Sequence, residues 1–429
     1  MKYAKRMYYV ITALVVFDSC YAREHTEAYL SVSGRNLTFR GEKVFLSGVN
    51  QAWYQYGNDF GNNAYAGSRP HLLHTLDAVH ANGGNSLRIW LHVEGFNTPQ
   101  FNSSGHVVGP GANVTRDLRD FLLEARRRNI LVTISLWNCA AIKKELPLYR
   151  MLTNVTVLQS YLDNALTPLV QALGSEVSLA VWEVMNEPEG CMAVGIEDKK
   201  EPCYDTTSLH IWDFADWTGL SIPLSSILPF IARHAATIHR HDPKALVTVG
   251  SWTYKSVTPE LGRRNLYSDA CLRYAADGDP GARLDVYQIH TYSALPMFLP
   301  HDPFVVNASM YGLDKPLIIG EFSQKKGGLK TSQELFTWAY YNGYNGAWSW
   351  SALDSDDASD SLEVQERGLR SLKNKDDPSH GGKINITLCD VTSCTSYTHL
   401  WLCSFLEIIH AFYKDVVAFF GTRMVTVNV

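Results

Sequence analysis

Short runs of unbroken apolar residues alternate along this chain with longer stretches in which apolar residues recur every three or four positions. The runs occupy 43–50, 86–91, 130–137, 179–187, 245–252, 286–292, 316–321 and 346–352. Apolarity that continues through both side-chain phases, as in ILVTISLW and KPLIIGEF, predicts strands buried on both faces, the signature of a parallel sheet. Helical spacing appears in the gaps. It is clear over 71–82, where Leu72, Leu73, Leu76 and Val79 share a face, and over 115–128, where Asn129 is a stop; 227–239 and 332–341 are similar. Eight strand-then-helix units predict a closed (β/α)8 TIM barrel in preference to an open doubly wound sheet. The alternating segment 29–40 ahead of the first strand predicts a short hairpin at the barrel bottom. The acidic stretch 354–360 lacks the glycine of a calcium loop and reads as a solvated surface loop.

The two ends differ from this pattern. Lys2, Lys5 and Arg6 precede an apolar run from Met7 to Phe17, and Cys20-Tyr21-Ala22 is a small-residue cleavage site. The run is too short to span a bilayer, so 1–22 reads as a signal peptide and the mature protein as secreted and extracellular. Six Asn-x-Ser/Thr sequons, at Asn36, Asn102, Asn113, Asn154, Asn307 and Asn385, agree with that compartment. The expected organisation is a signal peptide over 1–22, one catalytic barrel over 23–380 and a tail over 381–429. The tail holds Cys389, Cys394 and Cys403 and an aromatic helical pattern over 400–420. Glu407, Lys414 and Asp415 interrupt that pattern, so no stable membrane span is expected.

Composition narrows the partners. The 429 residues are 46% hydrophobic and 19% charged, enough for a large core. The net charge of −5 becomes −7 once the signal peptide is removed, which argues against a nucleic-acid partner. Eleven Trp and 22 Tyr offer flat faces with a polar edge, suited to stacking on sugars. Eight Cys become an odd seven after cleavage, so at least one is free or paired between chains. The motifs of metalloproteases, serine hydrolases and phosphate-binding loops are absent. His234, His239 and His241 fall where a helix surface is expected, so no metal and no other cofactor is predicted.

Two carboxylates carry the chemistry. Trp182-Glu183-Val184-Met185-Asn186-Glu187-Pro188 closes the fourth strand and Ile319-Gly320-Glu321-Phe322 the seventh. The C-terminal strand ends of a barrel are where active sites form. A strand-end Glu alone more often makes a rim salt bridge; two on one rim can share a glycosidic bond, one as acid and one as nucleophile or base. Arg88, inside an apolar strand, must face a carboxylate and would hold the nucleophile ionised. His290 and Tyr292 alternate onto one face, toward the same pair. Trp350 ends the last strand as a candidate sugar floor. Trp53, Trp90, Trp137 and Trp252 at other strand ends are either further platforms or core.

These residues resemble family 5 of the glycoside hydrolases. Phe45-Leu46-Ser47-Gly48-Val49-Asn50-Gln51-Ala52-Trp53, Arg88-Ile89-Trp90-Leu91-His92 and Ser135-Leu136-Trp137-Asn138 are similar, more narrowly, to the secreted endo-β-1,4-mannanases of molluscs and other invertebrates, over 30–373. The resemblance implies Glu187 as acid/base, Glu321 as nucleophile and Asn186 as the donor to the sugar 2-hydroxyl. It implies Arg88, His290 and Tyr292 as supports, and Trp350 as the sugar platform, with Trp53 and Trp137 as further substrate contacts. In the wider family a His often follows the third strand; Trp137-Asn138 stands there instead. On this layout Cys139 and Cys191 follow neighbouring strands, and Cys203 and Cys271 lie in neighbouring loops, so the expected disulfides are 139–191 and 203–271. The implied activity is a retaining endo-β-1,4-mannanase, a monomer acting on β-mannan. The alternatives are a β-1,4-glucanase of the same family, since mannose and glucose differ at the 2-hydroxyl and no motif reads it, and a sugar-binding protein without catalysis.

Overall fold

The computed structural model describes residues 29–293, 296–353 and 356–388. The signal peptide, the three tail cysteines and the tail's helical pattern lie outside the described residues. Two units divide the chain, Met1–Ile386 and Thr387–Val429, and the fold below is that of the first.

Eight parallel strands close into a barrel: β1 (Leu46–Asn50), β2 (Ser86–Val93), β3 (Leu131–Asn138), β4 (Leu179–Asn186), β5 (Val247–Ser251), β6 (Tyr287–His290), β7 (Leu317–Phe322) and β8 (Gly346–Ser349). Each pairs with its sequence neighbours, and β8 closes the ring on β1 with Gly346 opposite Leu46. The predicted runs all fall on these strands. β2, β3 and β7 are buried at every position, because helices cover the outside and side chains fill the inside.

The helices follow the apolar spacing. Val114–Arg127 buries Val114, Leu118, Phe121, Leu122 and Ala125 along one stripe and ends just before Asn129, which adopts φ 57°. Ser332–Tyr341 begins at a reciprocal cap between Thr331 and Glu334. Tyr65–Ala81 starts earlier than the expected 71 and stops one residue before 82, and Leu224–His241 runs past 227–239 at both ends. Two expectations change. Among the described residues of the sixth crossover the only helical element is a short 3-10 turn, Ala308–Tyr311; Pro296, Pro300 and Pro303 break helical hydrogen bonding there. His234 and His239 are buried, not on a helix surface: His234 accepts from the Trp137 indole at 3.1 Å, and His239 bonds Asp285 at 2.7 Å.

The predicted hairpin forms from Leu30–Ser33 and Asn36–Phe39, with Glu42–Lys43 as a third strand. It sits at the N-terminal end of the barrel, where Asn345, just before β8, accepts from the Leu37 amide at 3.1 Å and donates to the Arg35 carbonyl at 3.0 Å. The packed body runs slightly past residue 380: Gly382–Lys383 pairs with Asp376–Asp377, and Ile384 accepts from Asn85 at 2.8 Å. Because Asn345 is buried and its loss leaves the Leu37 amide without a partner, Asn345→Ala is expected to destabilise the fold by about 1–3 kcal/mol. Denaturant titration measures this, and a loss under about 0.5 kcal/mol would show that the hairpin is not anchored there.

Candidate active site

A single guanidinium organises the C-terminal mouth of the barrel. Arg88 is fully buried, and all five of its N–H groups are used. Nε and Nη2 grip Glu183 at 2.7 and 2.6 Å. Nη2 also donates to Asn186 Oδ1 at 2.7 Å, and Nη1 to Asn50 Oδ1 at 2.8 Å and Glu321 Oε1 at 2.6 Å. Glu183 is held in turn by Ser135 and Gln288, each at 2.8 Å. Gly320 makes room for this: a Cβ there would stand 2.4 Å from Gln288. A buried charge tolerates desolvation only when paired and fully hydrogen-bonded, and Arg88 meets both conditions.

Glu187 and Glu321 meet across the mouth. Together with His290 they present oxygen and nitrogen atoms within 4.8 Å of one another. Tyr292 donates to Glu321 Oε2 at 2.8 Å, and His290 Nδ1 lies 2.8 Å from Glu187 Oε1. Burial raises both carboxyls above the ordinary range. The negative charge of Glu321 pushes Glu187 further up, while Arg88 and Tyr292 pull Glu321 back down. Glu187 therefore holds its proton to higher pH than Glu321. Burial and the nearby Arg88 charge keep His290 neutral, its pKa well below the usual value. Glu187 stands at φ 45°, a rarely occupied conformation for a side-chain-bearing residue, which turns the chain into Pro188. The same three donors have the spacing of a cation site, but Arg88 bonded to Glu321 opposes a metal ion there.

Aromatic rings line both flanks. Trp350 packs in one cluster with Trp53 and Trp90, at centroid distances of 5.8 and 5.9 Å. The acidic loop is more than solvated: Asp356 accepts from the Trp350 indole at 3.0 Å, and Asp360 is buried. On the other flank Trp252 stacks on Tyr292 at 5.9 Å. From there a cavity of about 320 Å³ runs outward from His290 to the exposed Trp212 and Phe214. Disulfides Cys139–Cys191 and Cys203–Cys271 staple this side; Cys271 stands in the helix Asp269–Ala275 and not, as expected, in a loop.

Trp137 is a correction. It is 1% exposed and faces the helix layer, where it packs on Tyr161 and Phe230, so it cannot contact substrate. Ser135 and Asn138, three apart, both point inward: Ser135 donates to Glu183 and Asn138 accepts from Asn186. Simple alternation misplaces the strand end. Sequence reasoning also passed over Glu183, Asn50, Glu94 and Asn138. The signal that marked Arg88, a polar group inside an apolar strand, marks Glu183 equally well.

No protein-family model matches the chain. A mannan endo-1,4-beta-mannosidase of Mytilus edulis is 42% identical over 87% of this chain and 98% of that protein. Another, from Cryptopygus antarcticus, is 41% identical over 84% of this chain and 94% of that protein. The crystal structure of an endo-1,4-beta-mannanase from Eisenia fetida superposes with a TM-score of 0.81 at 43% identity, covering 84% of this chain and 99% of that one.

Since Arg88 lowers the Glu321 pKa, Arg88→Met is expected to move the acid limb of the pH–activity profile upward by about one to three pH units. The pH dependence of kcat/KM measures it, and an unmoved acid limb would dissociate Arg88 from the ionisation of Glu321.

Proposed function

The chain belongs to the mannan endo-1,4-β-mannosidases, within family 5 of the glycoside hydrolases, and we propose how its residues perform the hydrolysis of internal β-1,4-mannosidic bonds. Glu187, protonated, gives its proton to the glycosidic oxygen while the Glu321 carboxylate attacks the anomeric carbon. The C–O bond breaks, the leaving chain departs as an alcohol, and a mannosyl ester remains on Glu321. Glu187, now ionised, takes a proton from water, which displaces Glu321 and frees the sugar. The observation that carries this reading is that an oxygen of Glu187 and an oxygen of Glu321 lie within 4.8 Å, with Arg88 and Tyr292 on one carboxyl and neutral His290 on the other. A spacing near 5 Å suits direct attack; an inverting enzyme needs roughly 6.5–9.5 Å to admit a water.

Supporting roles follow from position. Asn186, fixed by Arg88, is read as the donor to the 2-hydroxyl of the sugar under attack. Trp350, with Trp53 beside it, is read as the floor for that sugar. The cavity between His290 and Trp212 extends toward the leaving side and offers aromatic surface to further sugars, as cleavage inside a chain requires. Among the described residues no helix is long and apolar enough to cross a membrane. With the N-terminal signal sequence, this supports a secreted enzyme working on polysaccharide outside the cell.

Release of reducing sugar from locust-bean mannan is expected to exceed release from carboxymethylcellulose; the reverse would favour the glucanase alternative, and neither a binding protein. Glu187→Ala is expected to lower turnover of mannan by about 10²–10⁴-fold and that of a dinitrophenyl β-mannobioside far less, because that leaving group needs no proton. Equal losses on both substrates would remove Glu187 from the acid role.

A further inference from the structure

Glu94 follows directly on β2, is 1% exposed and has no part in the hydrolysis outlined above. Val93 before it stands at φ 49°, a conformation that β-branched residues almost never adopt and that persists only when its surroundings enforce it. The register irregularity between β2 and β3 falls at the same place. The strained turn aims Glu94 at two partners: Tyr56 OH donates to its Oε1 at 2.7 Å, and Asn138 Nδ2 at 2.6 Å. Asn138 Nδ2 also reaches Tyr56 OH at 2.9 Å, and Asn138 Oδ1 accepts from Asn186 Nδ2 at 3.0 Å.

Groups of fixed polarity determine the sense of both amides. Arg88 can only donate, so Asn186 turns Oδ1 to it and Nδ2 to Asn138. The Ala140 backbone amide, at 3.1 Å, can only donate, so Asn138 turns Oδ1 to it and Nδ2 to Glu94. Burial raises the Glu94 pKa, and the bonds from Tyr56 and Asn138 oppose that rise. An acceptor at Glu94 thus locks Asn138, Asn138 holds one hydrogen of the Asn186 amide, and the other remains for a ligand. Tyr56 also lies against Trp53, at 4.9 Å between ring centroids, so the chain of bonds joins the aromatic floor to this amide.

We propose that Glu94, acting through Asn138, is a positioning residue that directs the Asn186 amide at the sugar 2-hydroxyl, the group at which mannose and glucose differ. This rests on the reading of Asn186 given above. The test compares kcat/KM for an aryl β-mannoside and its 2-deoxy analogue, each measured on wild type, Asn186→Ala, Asn138→Leu and Glu94→Leu. A ratio between two substrates on one enzyme is insensitive to a reduced folded fraction. The expected result is that Asn138→Leu and Glu94→Leu, neither of which leaves the relay its hydrogen bonds, lose on the order of tenfold more on the mannoside than on the 2-deoxy substrate. Equal losses on both substrates by these two variants, with Asn186→Ala still selective, would overturn the relay and leave the Asn186 reading standing. An unselective Asn186→Ala would remove that reading, and the relay with it.

Discussion

The ion cluster around Arg88 is the constraint on which the site depends. Three carboxyls face the barrel mouth, Glu183, Glu187 and Glu321, and one cation is buried among them. Glu183 takes two of the five N–H groups and sets the plane of the guanidinium, so the remaining donors are aimed at Asn50, Asn186 and Glu321. One positive charge cannot neutralise three negative ones in so dry a place. The carboxyl beyond reach of Arg88 is Glu187, and it is the one that keeps its proton. The difference between two chemically identical side chains that the proposed mechanism requires of acid and nucleophile thus comes from which of them the arginine touches.

The barrel supplies the mouth, and irregularities in its strand pairing supply the aim. Register shifts occur at the ends of β2, β5, β6 and β7, beside Val93, Gly250, His290 and Phe322. Each breaks the two-residue alternation where the active-site side chains stand, so more groups turn inward than a regular strand allows. The left-handed turns at Val93 and Glu187 continue the same tendency. One further shift lies low in the barrel, between Val132 and Thr133 of β3; the others stand at the rim, among the side chains of the site.

The contrast between regular strand and irregular rim explains what was legible in the sequence. The eight buried strands and most helices were readable because burial on both faces and a 3.6-residue stripe leave periodic marks. Glu187, Glu321, Arg88, His290 and Tyr292 were readable because each is a polar residue at or inside an apolar strand. The missing sixth helix was signalled by Pro296, Pro300 and Pro303, whose spacing carried more information than the expectation of a regular repeat. Trp137 was misread and Asn138 overlooked for one reason: Ser135 and Asn138 both face inward although three positions apart, so two-residue alternation fails at this strand end and nothing local in the sequence marks it. Glu94 lies outside the run of β2, where a carboxylate looks like an ordinary loop charge; only the fold shows that it is buried against Tyr56 and Asn138. The aromatic flank from Trp252 to Trp212 was equally hidden, since it depends on how two disulfide-stapled loops come together.

Retention requires that no water fits between Glu321 and the anomeric carbon. Proton NMR of the sugar released in the first minutes of mannan cleavage, before mutarotation, reads this directly. Double displacement by Glu321 predicts a new reducing end that appears first as the β-anomer; first appearance of the α-anomer would mean inversion and would contradict the arrangement of Glu187, Glu321 and Arg88 described here.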